Sequence, residues 1–226
     1  MNYKWLLFDL DGTLFDYDKA ESTALEKAFN EFNHNFEPAY NDAYIEINKF
    51  LWTDFEQGKI TTQKLRVKRF EILFSNLNIN YEPKMFSDCY LEALSGESHL
   101  IEGTEVVLNS LFEKAGLVLI TNGIKEVQRL RLKNSIISKY FSGIIISEEV
   151  GAAKPGKLIF DAAFERMNHP PKIDVLIIGD SLSSDIKGGN DYGIDTCWFN
   201  PKQKPYEFDI RANYEIVNLY EVLMIA

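Results

Sequence analysis

Short apolar runs alternate with amphipathic segments along most of the chain, and this alternation predicts the fold. The runs are rich in β-branched and aromatic side chains and are bounded by Gly, Asp or Asn. Such runs are typical of buried parallel strands, and amphipathic segments between them are typical of helices. The pattern predicts a doubly wound, Rossmann-like α/β fold with a parallel sheet. The predicted strands are 3–10, 116–122, 143–147, 174–180 and 195–200, and the predicted helices are 103–114, 125–134, 156–168 and 184–192.

Residues 16–97 follow a different pattern. Four successive segments have apolar residues at helical spacing, with turn signals such as "GKIT" and "NINYEP" between them. The simplest interpretation is an α-helical module inserted after the first strand, so that residues 1–15 and 98–226 form the α/β core. The alternative is that these helices simply flank the sheet. Arg66 and Arg69 within this block are expected to be solvated helix residues.

Composition narrows the classes of partner. The chain has 226 residues, 46% of them hydrophobic, and a formal net charge of -10. This charge argues against binding a nucleic-acid polymer. It does not exclude a small anionic substrate, because a bound metal ion can reverse the local field. The oligomeric state stays open.

The sequence shows no recognisable targeting signal, and this and its cysteine usage favour a cytoplasmic location. The start "MNYKWLLFDLDGTLF" has too short an apolar run for a signal peptide. No stretch of about 20 apolar residues is present, so no membrane span is expected. Cys89 and Cys197 are far apart, have no metal-ligand spacing and are expected to be free thiols in a reducing compartment.

The stretch "FDLDGTLFDYD" places two carboxylates, Asp9 and Asp11, at the end of the first predicted strand. Side chains alternate along an extended segment, so these two carboxylates should point the same way. Burying an unpaired charge is costly, so they must be solvated, paired or bound to a cation. Two neighbouring carboxylates suit a nucleophile and a group that moves a proton.

Three further polar segments follow other strands and should converge with the first, because ligands of parallel α/β sheets bind beyond the carboxyl ends of the strands. Thr121 and Asn122 lie where a strand ends and a helix follows, which suits anion binding. Lys154 precedes Pro155, which is expected in the first turn of a helix. A cation there can neutralise a phosphate and a carboxylate together.

The fourth segment, "LIIGDSLSSDI", supplies Asp180 at a strand end and Asp185 near a helix start. Carboxylate oxygens are hard ligands that suit Mg²⁺. A divalent cation bound among Asp9, Asp11 and Asp180 would offset the repulsion between their negative charges. Taken alone, Asp185 is equally explained as a helix cap.

These four segments, "DLDGT", "TNG", "KP" and "GDSLSSD" in that order, resemble the motifs of the haloacid dehalogenase superfamily. The helical block resembles the superfamily's cap of the type inserted after the first motif. The resemblance implies a phosphoric monoester hydrolase that depends on Mg²⁺. True dehalogenases of this superfamily lack the second acid of the first motif, so Asp11 argues against dehalogenation.

The resemblance also implies a role for each matching residue. Asp9 would be the nucleophile that forms an aspartyl-phosphate, and Asp11 would protonate the leaving group and then activate water. Phosphate would be bound by Thr121, the backbone of Asn122, and Lys154. Asp9, the backbone carbonyl of Asp11, and Asp180 would bind Mg²⁺, and Asp185 would hold the metal or its waters.

Two stretches, residues 51–61 and 179–201, are similar to the bacterial pyrimidine 5′-nucleotidase branch. That similarity implies a (deoxy)pyrimidine nucleoside monophosphate as substrate, with Trp52, Phe55, Glu56 and Lys59 facing the leaving group. Aromatic residues at helical spacing, such as Trp52 and Phe55, are more often core residues of a helical module than substrate contacts. The alternatives are a sugar-phosphate or phosphoglycolate phosphatase, a β-phosphoglucomutase-like mutase, and a non-catalytic binding module.

Overall fold

The structure is a computed structural model, and residues 2–206 and 209–226 are described. Six parallel strands form one sheet in the order β3-β2-β1-β4-β5-β6. The strands are β1 (Trp5–Phe8), β2 (Gly116–Thr121), β3 (Gly143–Ile146), β4 (Val175–Gly179), β5 (Asp195–Phe199) and β6 (Tyr214–Ile216). The predicted α/β fold with a parallel sheet is confirmed, and β6 is an edge strand that the sequence pattern did not predict.

The strand order reverses direction at β1. The chain passes from β1 through β2 to β3 on one side and then continues with β4 on the other side. Phe8 at the end of β1 is therefore paired with Leu119 of β2 and with Ile178 of β4. In open α/β sheets ligands bind in the crevice beside such a switch point, beyond the carboxyl ends of the strands.

A hydrophobic core lies on each face of the sheet, and successive side chains of a strand point into the two cores in turn. Leu6 and Phe8 point into a core on one face, and Leu7 points into a second core on the other face. The first core also contains Leu108 and Val222, which lie on two helices far apart in the sequence, and the second contains Phe160. This two-sided burial explains why the central strands are nearly continuous apolar runs.

Ten α-helices occur in the described part of the chain. They are α1 (Tyr17–Glu31), α2 (Pro38–Glu56), α3 (Thr62–Leu77), α4 (Pro83–Ser95), α5 (Thr104–Leu111), α6 (Lys125–Lys133), α7 (Ser147–Val150), α8 (Lys157–Arg166), α9 (Lys187–Tyr192) and α10 (Val222–Ile225). The prediction for Pro155 was wrong in one respect. Helix α8 begins two residues later, with Gly156 as its N-cap, so Pro155 lies in the preceding turn rather than in the first helical turn.

The chain divides into two compact units. One contains the residues up to Tyr17 together with His99–Lys125 and Leu132–Ala226, and the other contains Asp18–Ser98 and Glu126–Arg131. The first carries the sheet, and we call it the α/β unit. The second carries most of α1 and all of α2, α3 and α4, and we call it the helical unit. The functional description of these units as catalytic core and cap stays a prediction.

The helical unit has an aromatic core. Its buried side chains include Phe29, Phe70, Phe86 and Tyr90. Arg69 lies among them with no exposed surface, so the expectation of a solvated arginine was wrong. Its guanidinium carbon is 4.6 Å from the Tyr90 ring centroid. Aromatic rings attract a guanidinium over their faces, which makes this burial tolerable.

Within the described residues, the helices are either too short or too polar to cross a bilayer. Cys89 and Cys197 are both free thiols. Cys197 lies in β5, where burial raises the pKa of its thiol to about 12. Cys197 is fully buried in the hydrophobic core, and its thiol therefore stays protonated and unreactive.

Candidate active site

The acidic residues of the first and fourth motifs meet at the switch point because they follow neighbouring parallel strands. Asp9 comes directly after β1, and its backbone N–H donates a 2.9 Å hydrogen bond to the carbonyl of Ile178 in β4. Asp180 comes directly after β4. Asp185 lies on a π-helical turn, Leu182–Ile186, that leads into α9. Single π-turns of this kind are frequent at functional sites.

Three carboxylates form the centre of the site. Asp9, Asp180 and Asp185 each offer a carboxylate oxygen, and these oxygens all lie within 4.8 Å of one another. Asp185 is fully buried, Asp9 is nearly so, and Asp180 is half-buried. Like charges at this separation repel strongly in a poorly solvated site. The cluster therefore needs a positive charge close to it.

Lys154 supplies one such charge. Its Nζ donates to Asp9 Oδ1 at 2.5 Å, to Asp185 Oδ1 at 2.7 Å and to the carbonyl of Ile120 at 2.8 Å. An ammonium has three donors, so these bonds fix its position completely. Burial alone would lower the pKa of Lys154, but the charges of Asp185 and Asp9 raise it above its usual value.

The carboxylates still carry more negative charge than Lys154 neutralises. Burial raises the pKa of Asp9 well above its usual range, against the lowering effect of Lys154, and the charges of Asp185 and Asp180 raise it further. Burial and the charge of Asp185 raise the pKa of Asp180 to about 7. A divalent cation would remove this excess, and carboxylate oxygens are the ligands that Mg²⁺ prefers. The residues present therefore fit Mg²⁺.

The first motif turns sharply after Asp9. The backbone N–H groups of Leu14 and Phe15 donate to the carbonyl of Leu10 at 2.9 and 2.8 Å, which closes the turn. Gly12 has a φ of +84°, a conformation that favours glycine. Asp11 is half-buried in this turn, and the three-carboxylate cluster of the described residues does not include its side chain. The predicted metal contact through its backbone carbonyl stays a prediction.

The second motif links directly to the third. The Asn122 side chain donates to the Lys154 carbonyl at 2.9 Å and accepts from the Lys154 N–H at 2.8 Å. The two bonds clamp the backbone of Lys154, a role that sequence reasoning did not assign to Asn122. Thr121 is buried at the end of β2, and its hydroxyl accepts from the Gly123 N–H at 3.1 Å. Phosphate binding by Thr121 and Asn122 stays a prediction.

The residues predicted to contact the leaving group lie in the helical unit. Trp52 and Phe55 are half-buried on α2, with ring centroids 5.4 Å apart and planes at 88°. Glu56 is the last residue of α2. Lys59 is exposed in the following turn and pairs with Asp54 at 3.2 Å. Their assignment to substrate specificity stays a prediction.

Comparison with known proteins identifies the family. The haloacid dehalogenase-like hydrolase family matches residues 6–199. The chain therefore belongs to this family, and the resemblance stated from the four motifs is confirmed.

Three relatives are similar over nearly their full length. Pyrimidine 5′-nucleotidase YjjG of Escherichia coli is 35% identical, over 98% of this chain and 97% of its own. Pyrimidine 5′-nucleotidase PynA of Streptococcus pneumoniae is 37% identical, over 99% and 94%. The crystal structure of the HAD-hydrolase YfnB of Bacillus subtilis, bound to magnesium, superposes with a TM-score of 0.94 at 36% identity, over 100% and 99%. The predicted enzyme class, phosphoric monoester hydrolase, is the class of the two named nucleotidases.

Proposed function

We propose that the chain is a Mg²⁺-dependent 5′-nucleotidase that hydrolyses (deoxy)pyrimidine nucleoside monophosphates through an aspartyl-phosphate on Asp9. The observation that carries the proposal is the cluster of Asp9, Asp180 and Asp185, in which the buried ammonium of Lys154 bonds to Asp9 and Asp185. The similarity to two pyrimidine 5′-nucleotidases supports the choice of substrate. A cytoplasmic location stays a prediction.

In the first step, an Asp9 carboxylate oxygen attacks the phosphorus and the bond to the nucleoside oxygen breaks. Asp11 donates a proton to that oxygen, so the leaving group departs as an alcohol. Lys154 holds the Asp9 carboxylate in place through the 2.5 Å hydrogen bond. Fixing a nucleophile in this way lowers the entropic cost of reaching the transition state.

In the second step, Asp11, now a carboxylate, takes a proton from water while the water oxygen attacks the phosphorus. The bond between phosphorus and Asp9 breaks, which releases inorganic phosphate and restores both aspartates. When bound by Asp9, Asp180, Asp185 and the Asp11 carbonyl, Mg²⁺ would neutralise charge on the phosphate oxygens. Thr121, the Asn122 backbone and Lys154 would bind the remaining phosphate oxygens.

Phosphate release from a panel of monoesters tests this proposal. The panel contains UMP, dUMP, dTMP, purine monophosphates, sugar phosphates and phosphoglycolate, each with Mg²⁺ and with EDTA. We expect release that needs Mg²⁺ and favours the pyrimidine nucleotides. Release that favours a sugar phosphate or phosphoglycolate would keep the mechanism and reject the substrate. No release from any ester would reject the hydrolase proposal in favour of a mutase, which would return the trapped phosphoryl group, or of a non-catalytic binding module.

A further inference from the structure

Trp198 contacts the backbone of Asp180, which lies at the carboxyl end of β4. It lies in β5, paired with Gly179 of β4, and its indole Nε1–H donates to the carbonyl oxygen of Asp180 at 2.9 Å. The Trp198 side chain is only 2% exposed and packs against Tyr206, with ring centroids 4.8 Å apart. A buried indole has a single donor that needs a partner. Here that donor holds the backbone of Asp180.

Gly12 makes the second contact with Asp180, from the turn that follows the neighbouring strand β1. A Cβ atom on Gly12 would lie 2.7 Å from Asp180 Oδ2 and 2.8 Å from its Cγ. Both separations are shorter than van der Waals contact, so the Asp180 carboxylate occupies the space that a side chain at position 12 would fill. The neighbouring Thr13 hydroxyl lies 3.5 Å from Asp180 Oδ1.

We infer that Trp198 and Gly12 are positioning residues for Asp180: Trp198 fixes its backbone, and Gly12 leaves room for its carboxylate beside Asp9. The inference rests on the proposed function in that Asp180 is taken as a ligand of Mg²⁺. A carboxylate at the end of a strand can rotate about two side-chain bonds. The hydrogen bond to its backbone and the close approach of its carboxylate to Gly12 restrict this rotation, which preorganises the metal ligand before the ion arrives.

Isothermal titration of the full-length chain with Mg²⁺, without any substrate, tests the inference. Trp198→Phe keeps a smaller aromatic ring at this position and removes the indole N–H donor. We expect the Mg²⁺ dissociation constant to rise about tenfold, as for other residues that orient metal ligands. Trp5→Phe is the matched control. Trp5 lies at the start of β1 and packs against Gly116, so this variant should bind Mg²⁺ within twofold of the wild type.

Gly12→Ala provides an independent test should Trp198→Phe fail to fold. Gly193 has the same φ of +84°, but a Cβ atom there would meet nothing closer than 3.6 Å. Gly193→Ala therefore carries the same backbone strain without displacing a carboxylate. We expect Gly12→Ala to weaken Mg²⁺ binding at least tenfold and Gly193→Ala to leave it unchanged.

Thermal unfolding of the metal-free variants separates positioning from structural roles. A purely structural role would lower the unfolding midpoint and leave the dissociation constant of the folded protein unchanged. Dissociation constants within twofold of the wild type in both Trp198→Phe and Gly12→Ala would overturn the inference, as would a wild-type chain that does not bind Mg²⁺.

The substrate panel keeps this outcome separate from the proposed function. Weaker Mg²⁺ binding by Trp198→Phe in a protein that hydrolyses no phosphomonoester would support the positioning and reject the nucleotidase. Normal Mg²⁺ binding by both variants of an active nucleotidase would reject the positioning alone.

Discussion

Each unit buries charged side chains, but their charges are offset in different ways. The buried charged residues compared are Asp9, Asp185 and Lys154 in the α/β unit, and Glu21 and Arg69 in the helical unit. In the α/β unit, three carboxylates lie close together and Lys154 pairs with two of them, Asp9 and Asp185, while the pKa values of Asp9 and Asp180 are raised. Asp9 and Asp180 directly follow β1 and β4, at the edge of the sheet where ligands of parallel α/β proteins bind. The excess of negative charge is the sign of a binding site.

The helical unit holds its charges in balance. Asn48 donates to Glu21 Oε1 at 2.5 Å and accepts from an Arg69 nitrogen at 3.4 Å, so it links one acid to one base. The guanidinium of Arg69 also lies over the rings of Tyr90 and Phe70, at 4.6 and 5.2 Å. In this network one acid and one base offset each other's charge, and a buried polar network of this kind favours one packing arrangement. Net charge therefore separates the two kinds of buried cluster.

Asp9→Asn should have the largest effect, because it removes the proposed nucleophile. We expect turnover to fall by about 10⁴-fold or more. The thermal unfolding midpoint should not fall, since one of three mutually repelling carboxylates has been removed. Phosphate release and circular dichroism of the same sample measure both effects. Normal hydrolysis by this variant would contradict the mechanism, and a large loss of stability would contradict the excess-charge interpretation.

Lys154→Met should have the opposite effect on stability. Removing the ammonium leaves Asp9 and Asp185 buried without it, and breaking a buried ion pair costs about 3–5 kcal/mol. Urea unfolding in EDTA should show this loss, and added Mg²⁺ should restore part of it. Lys157→Met is the control, because Lys157 is exposed and pairs with Asp161 at the surface. An unchanged unfolding midpoint for Lys154→Met would falsify the role given to this lysine.

Asn48→Ala tests the balanced network. The variant leaves the buried Glu21 and Arg69 each without one hydrogen bond, which costs about 1–3 kcal/mol. Because the network carries no excess charge, Mg²⁺ binding should not change. Urea unfolding and Mg²⁺ titration on one preparation check both statements. Weaker Mg²⁺ binding with normal stability would mean that the helical unit's buried charges contribute to the metal site.

The contrast also explains how much the sequence could predict. Asp9 and Asp180 were predicted to converge because each ends an apolar run, and parallel strands bring their carboxyl ends to one edge of a sheet. The clamp between Asn122 and Lys154 could not be predicted. It joins residues 32 positions apart through loops whose conformations the apolar pattern does not specify.

Arg69 shows the same limit within a helix. Its charge favoured a solvated side chain, although on α3 it lies four residues from both Leu65 and Leu73, on the buried face of the helix. Its burial depends on Tyr44 from α2 and Tyr90 from α4, whose rings lie 5.9 and 4.6 Å from the guanidinium. Such packing is a property of three helices together.

The strand β6 was missed for a different reason. It has only three residues, too few for an alternation of apolar and polar positions to be recognised.

Trp52→Ala should have the smallest effect, and it asks whether the helical unit also selects the substrate. If a pyrimidine base stacks on Trp52, the loss is about 1 kcal/mol, a roughly fivefold rise in KM for dTMP with kcat nearly unchanged. Phe50→Ala, at an exposed position on the same helix, is the control. A lower unfolding midpoint with an unchanged KM would instead show that Trp52 serves only to pack against Phe55. In that case this end of α2 would have the same structural role as Asn48, and specificity would have to come from other residues.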